Sequence, residues 1–302
     1  MSSPVPGNIG PNPSIFVPIY PFSNAAGADT ILRSSDGADF YVHRAILSLV
    51  SPVFETMFHI PQPESAPAVP VIDVSESSGA LNRALSFFYP AAHANVATVE
   101  ELKEVIGILV SKYDMQCVIP TVKLHLEKYR SSDPLAVYAI AAAYGWEDIA
   151  LAAAKESLKH PLRNLSADAP PSLDGLTAAA YHNLLQYHYR CGEAARLTTI
   201  VLPADSLAGG LLRVCNTHPT APIRFSDSTR TVAGWFADYL KDMGSLLAVT
   251  PSASIHEQSS FYDALANAKC TSCGAFDTYF RFLTVVWPAQ LKAEIDKVDL
   301  KF

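Results

Sequence analysis

The side chains most able to do chemistry lie in the last third of the sequence. Cys215-Asn-Thr-His218 and Cys270-Thr-Ser-Cys273 each place two potential ligands with two residues between them. That spacing lets a tight turn aim both side chains at one tetrahedral ion, and three thiolates with one imidazole make the ligand set of a closed structural zinc site. One zinc per chain, held by Cys215, His218, Cys270 and Cys273, would clip two distant segments together. Closure of that kind contributes on the order of 10 kcal/mol to folding. Two other readings of the same residues stand beside it. The thiols could be buried and unrelated, or Cys270 and Cys273 could form a thiol redox pair. Cys273-Gly274 precedes a long helical pattern, and a helix N-terminus lowers a thiol pKa.

The remaining candidates for chemistry are weaker. His182 and His188 lie on one helical pattern, but six steps of about 100° put them on different faces, so they are not a metal pair. His256-Glu257 lacks the second histidine of a zinc-protease helix. The sequence contains no G-x-S-x-G, no G-x-x-x-x-G-K and no G-x-G-x-x-G. We assign no catalytic residue and expect a protein that is not an enzyme, with the Cys270/Cys273 redox protein as the alternative from another class.

Bulk properties narrow the field further. The 302 residues are 49% apolar with a net charge of −7, enough to build cores and the wrong balance for sequence-independent DNA binding, which depends on Lys and Arg meeting phosphates. Five cysteines, an odd and modest number, do not suggest a disulfide framework. The start, MSSPVPGNIGPNPSIFVPIYPF, lacks the basic-then-apolar order of a signal peptide. The longest apolar run, about 135–146, is too short to cross a bilayer. The expectation is an intracellular protein, cytoplasmic or nuclear, with no membrane and no direct nucleic-acid partner.

The elements that must position these residues follow from periodicity. Residues 1–24 are rich in Pro, Ser and Gly and read as a flexible leader. Thr30–Arg33 and Asp39–Arg44 read as strands around the turn signal Ser-Ser-Asp-Gly. A helix over about 45–50 follows. Ser51-Pro52 then supplies a cap and a proline at the first helical position, opening a second helix to about His59. Val69–Val74 reads as a third strand. Helices are expected over about 79–89, 98–114 and 118–129, the middle one capped by Thr98 with Glu100 and Glu101 at its positive end. An alanine-rich helical hairpin starts at Asp133-Pro134 with stops at Gly145 and Pro161, and a helix over about 176–197 follows. The rest alternates loops with helices near 228–247, 257–267 and 276–299. Trp235-Phe236 with Tyr239-Leu240, and Tyr279, Phe280, Phe282 and Trp287, read as core, the first group serving equally as an exposed partner patch.

This order of elements resembles the BTB/POZ domain, and the local residues match it. The resemblance rests on Asp29-Thr30-Ile31-Leu32 in the first strand, and on Phe40, His43-Arg44, Ile46-Leu47, Ser51, Phe54 and Met57-Phe58 at the strand-to-helix change. Leu85-Ser86-Phe87-Phe88-Tyr89 and Lys112-Tyr113-Asp114-Met115 continue it. It covers about 25–130. Residues 131–197 are similar to the helical, BACK-like extension of fungal BTB proteins, and 198–302 to their uncharacterised C-terminal region. The resemblance implies an α+β N-terminal domain, a small sheet with a helical cluster, followed by a mainly α-helical region. It implies that Asp29, His43 and Arg44 are architecture at a dimer groove, with an Asp–Arg pair beneath it and the histidine packed at the corner. It further implies a non-catalytic scaffold that homodimerises and presents its helical and C-terminal surfaces to a client protein. An adaptor of a cullin-type ubiquitin ligase is the alternative within that class. Ligase-binding members often carry a hydrophobic-x-Glu motif in the loop after the second short helix. Here that loop is 61–70, and Glu64 is preceded two residues earlier by Gln62, which makes cullin a doubtful partner.

Overall fold

The computed structural model describes residues 16–23, 27–60, 69–162, 175–204, 219–252, 254, 257–269 and 276–302. The chain divides into two units, one ending at Tyr129 and the other beginning at Arg130.

In the first unit, β1 (Thr30–Arg33) and β2 (Asp39–Val42) pair antiparallel, with Thr30 opposite Val42 and Arg33 opposite Asp39. The turn between them needs Gly37, whose φ of 86° suits a residue without a Cβ. Alternation sends Leu32, Phe40 and Val42 inward to complete burial. β3 (Val71–Asp73) then joins the other edge of β1 in parallel, giving the order β2-β1-β3. A parallel partner requires a crossover, supplied here by α1 (Arg44–Val50) and α2 (Pro52–His59). Ser51 starts α2 as expected: its Oγ accepts from the Phe54 N–H at 3.1 Å and donates to the Tyr113 carbonyl at 2.6 Å.

Two further helices close this unit's core. α3 (Ser78–Leu85) is capped by Ser77 and also from across the hairpin turn, where Asp36 accepts from the Ser78 N–H at 2.9 Å and from its hydroxyl at 2.6 Å. A bond from the Ser34 hydroxyl, followed by these from Ser78, holds the Asp36 carboxyl below the ordinary aspartate range. α4 (Val99–Ile106) is capped by Thr98 and buries Leu102, Val105 and Ile106. It widens into a π-helical stretch at Gly107–Lys112, and α5 (Ile119–Glu127) follows.

Part of the stretch read as a leader belongs to this unit. Phe22 is 1% exposed, edge-on to Tyr89 at 5.1 Å, and its carbonyl accepts from the Tyr41 N–H at 3.0 Å. The leader's proline content concealed that an aromatic anchor ties its end to β2.

The second unit is mainly helical. α6 (Pro134–Ala143) and α7 (Glu147–Ser157) form the alanine-rich hairpin, with the cap at Asp133 and the break at Gly145, where φ is 67°. α8 (Ala178–Ile200) runs on through 197–198 and ends in a short strand, β4 (Val201–Leu202). β5 (Thr220–Phe225) and β6 (Thr229–Ala233) form an antiparallel hairpin, with β4 parallel to β5. The helix expected from about 228 therefore starts later, at Gly234. β-branched Thr229, Thr231 and Val232 favour the strand. α9 (Gly234–Leu247), α10 (Ser259–Ala268), α11 (Phe276–Arg281) and α12 (Trp287–Asp296) complete the unit, with a π-helical stretch at Phe282–Val286. Phe236, Tyr239, Tyr279, Phe282 and Trp287 are core, whereas Phe280 is 44% exposed. Among the described residues no helix is long and apolar enough to cross a membrane.

Candidate interaction site

The corner between β2 and α1 gathers the three residues singled out in the first unit. The first N–H groups of a helix have no partner within it, and His43, at the cap position of α1, does not supply one. Asp29 does so from beside β1: its Oδ1 accepts from the Arg44 backbone N–H at 2.7 Å. The carboxylate thus meets the main chain of Arg44 and not its guanidinium. That guanidinium donates from Nε to Thr30 Oγ1 at 3.1 Å and stacks over the Phe58 ring at 5.0 Å. The expected Asp–Arg ion pair is therefore a helix cap plus a cation–π contact. His43 bonds through Nδ1 to the Tyr89 hydroxyl, and burial raises the Tyr89 pKa. Thr30, Phe58 and Tyr89 were missed as partners. Only the Phe58 spacing, one helix away from Arg44, offered a signal in the sequence.

The first unit exposes apolar side chains. Val17, Ile19 and Tyr20 are 75%, 71% and 70% exposed, and Leu49 on α1 is 86% exposed although its neighbour Leu47 is fully buried. On α2 an open groove of about 500 Å³ is lined by Pro52, Val53, Thr56, Met57, Ile60 and Asp114.

A family model for the BTB/POZ domain matches residues 21–130. Residues 21–130 are a BTB/POZ domain. The match begins before the start read from the sequence, in keeping with Phe22. A BTB domain is a protein–protein interaction module, which indicates the scaffold or adaptor kind. A comparison with curated proteins finds no match.

Cys215, His218, Cys270 and Cys273 lie outside the described residues, as do Gln62 and Glu64. Among the described residues no group of three or more His, Cys, Asp or Glu is placed to hold a metal. Cys117 is exposed, and Cys191 is buried with its pKa pushed up to about 11, chiefly by burial. A thiol so shifted is inert near neutral pH. His182 is exposed while His188 is buried against the His160 carbonyl at 3.1 Å, which separates them as the helical spacing implied.

Proposed function

We propose that the chain is a homodimeric, non-catalytic scaffold whose BTB domains pair and whose second unit is thereby presented to a client twice. The observation that carries this reading is the exposure of Val17, Ile19, Tyr20 and Leu49 on the first unit. Scattered apolar residues on a surface are ordinary, but three within four positions and a leucine exposed beside a buried one describe faces that a second copy would cover. An obligate interface of the expected kind buries roughly 2,000 Å² or more, and two client sites on one particle raise avidity without new contacts. Native mass spectrometry of the full chain under reducing conditions tests it. A species of twice the chain mass is expected, converting to monomer in the Ile19→Glu/Leu49→Glu variant. A wild-type monomer refutes the pairing. The zinc clip of Cys215, His218, Cys270 and Cys273 is proposed alongside and is read from the same spectrum as one zinc per chain.

The α2 groove favours a second reading, an adaptor that docks a cullin-type ligase component through Met57 and the 58%-exposed Ile60. Its test is co-purification with a cullin N-terminal domain, lost in Met57→Glu.

A further inference from the structure

The second unit holds an open cavity of about 450 Å³ where α8, β5 and α9 meet. A close helix approach shapes it. A Cβ at Gly244 would lie 2.5 Å from Thr199 Oγ1, so glycine is what lets α9 come in against α8. Buried Ile223 and Leu240 supply apolar lining. Arg196, Arg224 and Lys241 also line the cavity, and among the described residues no carboxylate does. Arg196 is held by Glu193 through two bonds, at 2.8 and 3.1 Å. Arg224 and Lys241 are exposed and make no ion pair among the described residues. Asp238 and Asp242 neighbour Lys241 in sequence without lining the cavity. In a chain of net charge −7, this is a local concentration of positive charge around an apolar floor.

We propose that this cavity receives an acidic peptide segment of the client, with an apolar side chain seated on Ile223 and Leu240 and flanking carboxylates meeting Arg224 and Lys241. The proposal rests on the scaffold reading above. The volume suits one or two side chains, within the range of ordinary ligand pockets. A small free anion is best held by buried, converging donors. Here Arg224 and Lys241 are exposed and the buried lining is apolar, which suits a peptide with alternating demands. Charge complementarity of this type sets specificity and association rate more than affinity.

Fluorescence anisotropy on the full chain tests it, with labelled Gly-Glu-Glu-Leu-Leu-Glu-Glu-Gly as probe. The acidic peptide is expected to bind and its all-lysine counterpart to fail. Serine in place of both leucines should weaken binding by about tenfold or more, as loss of buried apolar surface demands. Added salt should weaken it too. The Arg224→Glu/Lys241→Glu variant should lose about tenfold or more. Arg224→Gln/Lys241→Gln, which adds no charge, repeats the test should the first variant fail to fold by circular dichroism. Equal binding of the lysine peptide, or unchanged binding by a folded variant, overturns the proposal. So does a serine peptide that binds as well as the leucine one and is displaced by inorganic phosphate, which marks a small-anion site. The mass of the same samples separates the two claims. A monomer that binds the acidic peptide refutes dimerisation alone, and a dimer that ignores it refutes the cavity alone.

Discussion

The two units differ in which contacts are most prominent. In the BTB domain, polar side chains join segments distant in sequence: Asp36 reaches Ser78, Ser51 reaches Tyr113, and Glu76, only 8% exposed, meets Lys112 and the Tyr113 hydroxyl. Each bond demands particular residue types at particular places. The second unit also has polar links, such as Lys155 to Asp296 at 2.8 Å and the Tyr138 hydroxyl to the Ala180 carbonyl at 2.9 Å, but it adds close steric and aromatic contacts between helices. Phe236 lies 5.1 Å from Tyr279 and 5.6 Å from Phe282, and Trp287 donates to Thr198 from inside the core. The helices come so close that a Cβ at Gly192 would sit 2.5 Å from the Ala248 carbonyl oxygen. A polar scaffold of the first kind leaves a recognisable sequence. A core of the second kind is satisfied by many sequences of similar volume.

The largest expected effect that would sharpen this contrast is at Trp287. Trp287→Ala removes a fully buried ring and should cost roughly 3–5 kcal/mol. Hydrogen exchange should then quicken in α8, α9 and α12 and stay unchanged in β1 and β2, and equal acceleration in both units would break the contrast. Gly192→Ala comes next, at about 1–3 kcal/mol, because the backbone carbonyl opposite cannot swing aside as a flexible side chain would. Urea denaturation measures it, and a neutral result would show that the helix contact is loose. Ser51→Ala should cost about 1–2 kcal/mol, confined to the BTB domain, through loss of the cap and the bond to Tyr113.

The smallest effect is one of pH. The Asp36 carboxyl titrates lower in the folded chain than when unfolded, so its contribution is present above the ordinary aspartate value of about 4 and is lost as pH falls through the lowered folded value. Asp36→Asn should flatten the acid limb of the BTB unit's stability curve below the ordinary aspartate range. An unaltered limb would assign acid sensitivity to other carboxylates, Asp39 beside Arg33 first among them.

Legibility followed how local each signal is. Ser51-Pro52, Thr98 and Asp133-Pro134 announced their helices because capping is a local matter that residue type reveals. The sheet hairpin announced itself through Ser-Ser-Asp-Gly. The β5–β6 pair did not. Its strand residues adjoin an apolar helix, and the helical rhythm of Trp235, Phe236, Tyr239 and Leu240 drew the boundary backwards across them. Phe22 was hidden by its proline-rich company. At the corner site, Asp29, His43 and Arg44 were found as a group, but their bonding was not, since whether a carboxylate meets a guanidinium or a main-chain N–H depends on backbone placement that spacing does not encode. The Arg224–Lys241 cavity was invisible for the same reason: its walls come from three elements, one of them unforeseen.

The order β2-β1-β3 has a kinetic corollary. The hairpin of β1 and β2 closes a short loop and can form within microseconds, whereas Ile31 must wait for Val71 to return after the α1–α2 crossover. Of the two pairings, docking of β3 closes the longer loop and carries the larger entropic cost, which the α1–α2 crossover lowers by shortening the path. A change there would be felt as slower folding with an intact early hairpin, and a chain caught at that stage would offer the bare edge of β1, the central strand, to whatever strand arrives first.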